Sequence, residues 1–171
     1  MSFQSTVNIQ QGFGVPGEVI LASPNRTESL VIDSSGNTPN VYGYAATKSN
    51  STNVASMGGT VASGVVFAGL MIRPKEAQLQ GTTAGGTLAP TLEIPDNSEA
   101  EFCTMGDVVV SVNNAANIGD ELTYSTTTGE LKAMAPGGTP ASGYAAVPNA
   151  VVYRYPVTSS SGGSTVARLT N

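Results

Sequence analysis

Glycine and proline punctuate this chain so densely that a helical fold is hard to write onto it. There are 20 Gly and 10 Pro among 171 residues, spaced every few positions. Inside a helix, Gly costs about 1 kcal/mol and Pro about 3 kcal/mol relative to Ala. No stretch shows the clean 3.6-residue apolar repeat of an amphipathic helix. Short runs of β-branched and aromatic residues between turn residues are frequent instead. Candidate strands fall at 18–22, 30–32, 41–47, 64–72, 92–94, 101–104, 108–112, 121–125, 130–134, 150–156 and 165–169. Many short strands with such punctuation predict an all-β fold: a single β-barrel-like or jelly-roll-type sandwich domain.

Two local features sharpen this reading. The runs 121–125 (ELTYS) and 130–134 (ELKAM) flank Thr126-Thr127-Thr128-Gly129, a hairpin with glycine near the end of its turn. The run Asp107-Val-Val-Val-Ser-Val112 predicts a strand buried on both faces. Segments 49–59, 81–86 and 159–164, rich in Ser, Thr, Asn and Gly, are expected to be loops.

The first 17 residues differ in kind. They carry no charge and scatter Phe3, Val7, Ile9, Phe13 and Val15 among amides, ahead of Pro16. The spacing suits neither helix nor regular strand. We expect an extended N-terminal arm over 1–17 that lies on a neighbouring subunit, followed by the β domain over 18–171. An extended arm of this length reaches roughly 55 Å. A frayed terminus or an edge strand is the plainer alternative.

Charge narrows the function. Only 11% of residues are charged, where about 25% is usual. Hydroxyls and amides take the place of ions, and they are cheaper to bury once hydrogen-bonded. Such a surface packs readily against other proteins. The net charge is −5 and the seven cations are scattered, so direct binding of nucleic acid is not expected. The longest apolar run, 64–72, is too short to span a bilayer, and no membrane partner is expected. A lone cysteine, Cys103, permits no disulfide within the chain.

Chemistry finds little purchase. With no histidine, the commonest general base and metal ligand is missing. Gly12-Phe-Gly14-Val-Pro-Gly17 fits a dinucleotide-binding pattern in letters only. Pro16 removes an N–H, and strand-like residues follow where a helix should start. We expect a bend there. Asp96, Glu99 and Glu101 could form a glycosidase pair or a calcium site, but a solvated strand edge is the better reading. Tyr42 with Tyr44, and Tyr153 with Tyr155, are expected to share strand faces, in a core, at an interface or as a sugar-binding row. Arg73 and Lys75, after the long apolar strand, are candidates for contact with a neighbouring subunit. No catalytic residue, metal or cofactor is expected.

Several stretches together resemble the head decoration, or structural cement, proteins of tailed bacteriophages. They are MSFQSTVNIQQGFGVPGEV at the start, Ser23-Pro-Asn-Arg26, and Val65-Val-Phe-Ala-Gly-Leu-Met-Ile-Arg-Pro-Lys-Glu76. GDVVVSV, GDELTYSTTTGELKA, Val147-Pro-Asn-Ala150 and Val166-Ala-Arg-Leu169 continue the pattern. The resemblance implies a virion protein on the outer surface of the head, made in the host cytoplasm. Its partners would be the major capsid protein and neighbouring copies of itself, as dimer or trimer. It implies no enzymatic activity. A carbohydrate-binding β module on a capsid or fibre is the alternative.

Overall fold

The computed structural model describes residues 14–35, 38–73 and 93–170. Among them there is no helix, as the glycine and proline spacing requires. Twelve strands follow in order: β1 (Val19–Ile20), β2 (Arg26–Ile32), β3 (Asn40–Val41), β4 (Ala45–Ser49), β5 (Val54–Met57) and β6 (Val65–Ile72). Then come β7 (Glu93–Ile94), β8 (Ser98–Val112), β9 (Glu121–Ser125), β10 (Leu131–Met134), β11 (Tyr144–Arg154) and β12 (Gly163–Leu169).

The fold is organised by β8, a strand of 15 residues. Its first half pairs with β2 on one edge and β6 on the other, and β2–β5–β4–β6 completes a circuit. Its second half pairs with β12, and β12–β11–β9–β10 returns to Val112. Two five-stranded rings therefore share one strand. A closed ring with an odd number of strands cannot alternate direction throughout, so each needs a parallel pair. They are β2 with β5, through Val31↔Val54 and Ile32↔Ala55, and β10 with β8, through Leu131↔Val112. Both are short, which keeps the less stable pairing to a minimum. The barrel is thus the architecture that the pairings draw, and closure removes most exposed strand edges.

Each ring has its own core. Leu30, Ile32, Ala46, Met57, Met71 and Phe102 fill the first. Val108, Val110, Leu122, Tyr124, Leu131 and Val152 fill the second. Between them lies a common wall. Leu70 and Ile72 join the second core while Met71 joins the first, and Ala45 and Ala46 divide in the same way. Successive side chains of a strand point to opposite faces. A wall with a core on either side must therefore be apolar at every position, which explains the unbroken run ending in β6. Val108, Val109 and Val110 are all fully buried, as the sequence implied for a strand covered on both faces.

Three expectations need correction. The stretch 41–47 is not one strand: a turn at Tyr42-Gly43 separates β3 from β4. The segment 49–59, read as a loop, contains β5. The candidates 101–104 and 108–112 are one strand, β8, which continues through Met105-Gly106 while its partners change.

Candidate interface surface

The first described residues fold into the bend expected of the glycine-rich run. Val15-Pro16-Gly17-Glu18 is a turn closed by the Glu18 N–H donating to the Val15 carbonyl at 3.0 Å. Proline supplies its fixed φ at the second position, and Gly17, at φ +88°, the left-handed conformation at the third. Gly17 is also pressed against its surroundings: a Cβ there would lie 2.8 Å from Cβ of Tyr42. The backbone then sews this turn to both rings. Gly17 N–H donates to Val109 O at 2.8 Å, Val109 N–H to Glu18 O at 2.8 Å, and Arg73 N–H to Gly17 O at 2.7 Å.

Val15, Pro16 and Arg73, far apart in sequence, are thus brought to one corner. Phe3, Val7, Ile9, Phe13 and Lys75 lie outside the described residues. Val15 is exposed and Arg73 half-buried there. Arg73 lines a cleft beside β1 with Glu18, Leu21, Thr27 and Glu101. Leu21 is 62% exposed at its rim.

The other candidates disperse. Asp96 is a structural brace: its Oδ1 accepts from Ser34 N–H and from Asn40 Nδ2, both at 2.9 Å. Glu99 and Glu101 do share the outer face of β8, opposite Val31 and Ser29 of β2. The three carboxylates therefore do not converge on one site. Cys103 is fully buried, its Sγ donates to Met105 O, and burial pushes its thiol up to about 11. A thiol held protonated is a poor nucleophile. Tyr42 and Tyr44 both pack against the first core. Tyr42 is buried in the first core, and the Tyr44 hydroxyl donates to Glu130 Oε1 at 3.4 Å. Tyr153 lies within β11, whereas Tyr155 lies beyond its end at φ +59°, a rare conformation for a bulky residue.

Two features escaped the sequence reading. The first is the ion pair of Asp107 and Arg168, adjacent partners on β8 and β12. Arg168 Nε and a terminal nitrogen donate to the two carboxylate oxygens at 2.7 and 2.8 Å. The guanidinium also lies 3.3 Å from the centre of the Tyr153 ring. Those hydrogen bonds hold the buried Asp107 carboxyl below its ordinary range despite desolvation. The Arg154 and Arg168 guanidinium groups likewise lower the Tyr153 phenol. A carboxylate inside an apolar run on a doubly covered strand requires a cation beside it. That requirement was the available signal.

The second is an exposed patch at the end of β11. Ile118 is 61% exposed and Tyr155 46%, with Arg154 beside them at the surface. The backbone there is tightly braced. Ala116 and Val157 exchange N–H···O bonds at 2.8 Å, Gly119 N–H donates to Val152 O, and Val152 N–H to Asp120 O. Thr165 Oγ1 donates to Arg154 O at 2.7 Å.

Among the described residues no three of His, Cys, Asp and Glu gather as a metal site would require. The arrangement is one of braced surfaces around two closed cores. Comparison with known proteins agrees with that character. Residues 3–171 match the family model described as "Structural cement protein (E217 gp24/Pam3 gp6)". No curated protein matches the chain. A solved structure described as "The capsid of Myoviridae Phage XM1" contains a similar chain, with a TM-score of 0.65 and 19% identity over 100% of this chain and 99% of that one. At that identity the likeness is one of fold.

Proposed function

The chain belongs to the structural cement protein family, with a structural role in the phage capsid, and from that premise we propose that it binds the outer surface of the head across contacts between major capsid subunits and stabilises the shell. The observation that carries this reading is the family match across 3–171. A surface poor in ions and two closed cores support it. A rigid body with few charges to desolvate loses little on being covered by other proteins.

Holding a shell together calls for many modest contacts made at once. Each copy that touches more than one capsid subunit gains avidity, because later contacts form at high effective concentration. The corner formed by Val15, Pro16 and Arg73 offers one contact region. The uncharged residues ahead of it, with Phe3, Val7, Ile9 and Phe13, supply an arm for a neighbouring subunit. Each apolar side chain buried there contributes about 1.5–3 kcal/mol. The protein acts as a structural element and not as an enzyme, is made in the host cytoplasm, and contacts no nucleic acid. The carbohydrate-binding alternative rests on tyrosine rows, and Tyr42 and Tyr44 both pack against the first core.

Heads assembled without this chain test the proposal. They are expected to burst at lower temperature than complete heads and to regain stability when purified protein is added. Protein lacking residues 1–13 is expected to stay folded and restore less. Heads of unchanged heat resistance with and without the protein would contradict it.

A further inference from the structure

The patch at the end of β11 and the outer face of the first ring are complementary. The patch presents Ile118 and Tyr155, with Arg154 exposed beside them and its guanidinium 4.9 Å over the Tyr153 ring. Arg168 beside it is neutralised by Asp107, and Arg154 forms no ion pair among the described residues. Asp120, the nearest carboxylate in sequence to Ile118, accepts from Asn117 N–H at 2.8 Å. The first ring presents the reverse pattern. Val31, 45% exposed, lies directly across from Glu99, and Ser29 from Glu101. Glu99 is exposed and forms no ion pair among the described residues, while Glu101 shares a cleft with Arg73.

These surfaces cannot satisfy each other within one molecule. Arg154 pairs with Val166, which pairs with Val109, whereas Val31 pairs with Glu99. Glu99 and Val109 are ten residues apart on β8, a separation of about 33 Å along a straight strand. Screening at physiological salt acts over about 8 Å. The attraction is open only to another molecule.

Resting on the cement reading, we infer that neighbouring copies of this chain associate head to tail, with Ile118, Arg154 and Tyr155 of one copy seated on Val31, Glu99 and Glu101 of the next. Tyrosine and arginine are the residues that most often anchor interfaces. The braced backbone at 152–157 presents them already ordered, so little freedom is lost on contact. The two surfaces differ, so the contact is heterologous and closes into a ring or continues as a chain.

Sedimentation of the full chain over a wide concentration range, at low and high salt, tests this. The protein is expected to self-associate, more strongly at low salt. Arg154→Glu and Glu99→Lys should each weaken association at least tenfold, and the double variant should recover most of it. Both positions are exposed, so each variant is expected to fold, with Arg154→Glu losing some thermal stability along with its contact to Tyr153. A monomer under every condition, association indifferent to Arg154→Glu, or no recovery in the double variant overturns the inference. Binding of the same proteins to undecorated heads separates the two claims. Unaltered chain that binds heads but never self-associates leaves the cement reading standing and this inference refuted. Loss of head binding by Arg154→Glu with self-association unchanged assigns the patch to the shell protein, and equally refutes it. Self-association with recovery by charge exchange, but no binding to heads, supports the inference and removes the cement reading.

Discussion

Asp107 is 2% exposed on a strand whose neighbouring valines are fully buried. A charge in that position survives because Arg168 meets both its oxygens, and Arg168 is itself held over Tyr153. Removing one member of such a pair typically costs about 3–5 kcal/mol, because the other is left uncompensated. Arg168→Ala is expected to destabilise the fold at neutral pH, by less than a fully buried pair because the Arg168 side chain is 33% exposed, as measured by denaturant unfolding. The pH dependence follows from the direction of the shift. Arg168 depresses the folded-state carboxyl of Asp107. Its stabilisation is therefore fully present above the unfolded value of about 3.9 and is lost as pH falls through the lower folded value. In Arg168→Ala the buried carboxyl, without its cation, is raised instead. The deficit of the variant should thus be largest near neutrality and shrink as pH falls, first through the variant's raised carboxyl value and then below about pH 4. A deficit constant across that range would show that the pair contributes by packing alone.

At the scale of elements, what could be read from the sequence was what is local. The hairpin β9–β10 was legible because its turn residues and both strands sit within 14 consecutive positions, 121–134. Its pairing, Leu131↔Tyr124 through Met134↔Glu121, is the one that the turn implies. The strand β5 was not legible, since Val54-Ala-Ser-Met57 has few β-branched residues and is a strand only because β2 and β4 lie on either side. The division at Gly43 was missed because Tyr-Gly-Tyr reads as continuous β sequence. Gly43 N–H donates to Met71 O at 2.7 Å, a partner that no local pattern reveals. The bend at Pro16-Gly17 was legible, but its stitches to Val109 and Arg73 were not.

The hairpin turn also does more than reverse the chain. Ala45 N–H donates to Gly129 O, Gly58 N–H to Ala45 O, and Gly59 N–H to Thr126 O, so the turn of the second ring is bolted to β4 and the end of β5. Gly129 is at φ +80°, and a Cβ there would overlap the Ala45 carbonyl oxygen. Gly129→Ala is expected to cost about 2–5 kcal/mol, combining left-handed strain with displacement of the neighbouring ring. That corresponds to a fall in Tm of roughly 4–20 °C at about 2–4 °C per kcal/mol. Gly137, at φ +70° with nothing within 4 Å of its would-be Cβ, is the matched control. Gly137→Ala should cost only the strain, about 1–2 kcal/mol. Equal losses for the two would remove the inter-ring bolt from the account.

At the scale of the whole molecule, two closed rings share the strand β8. Their cores are filled with side chains, and the buried Asp107 and Cys103 are held by Arg168 and by the Met105 carbonyl. The all-β class and the family were legible in the sequence. The candidate contact surface was legible only in part. Val15, Pro16 and Arg73 come together, while Ile118, Arg154 and Tyr155 stood out only once exposure was known. Isolated exposed side chains carry no sequence pattern, because their meaning depends on which strands the fold places beside them.

Electron cryomicroscopy of heads assembled with and without this chain shows whether it bridges the shell. The account predicts added density on the outer surface, bridging adjacent major capsid subunits, into which the two-ring body fits. Density on the inner face, or identical maps in the two preparations, would contradict it.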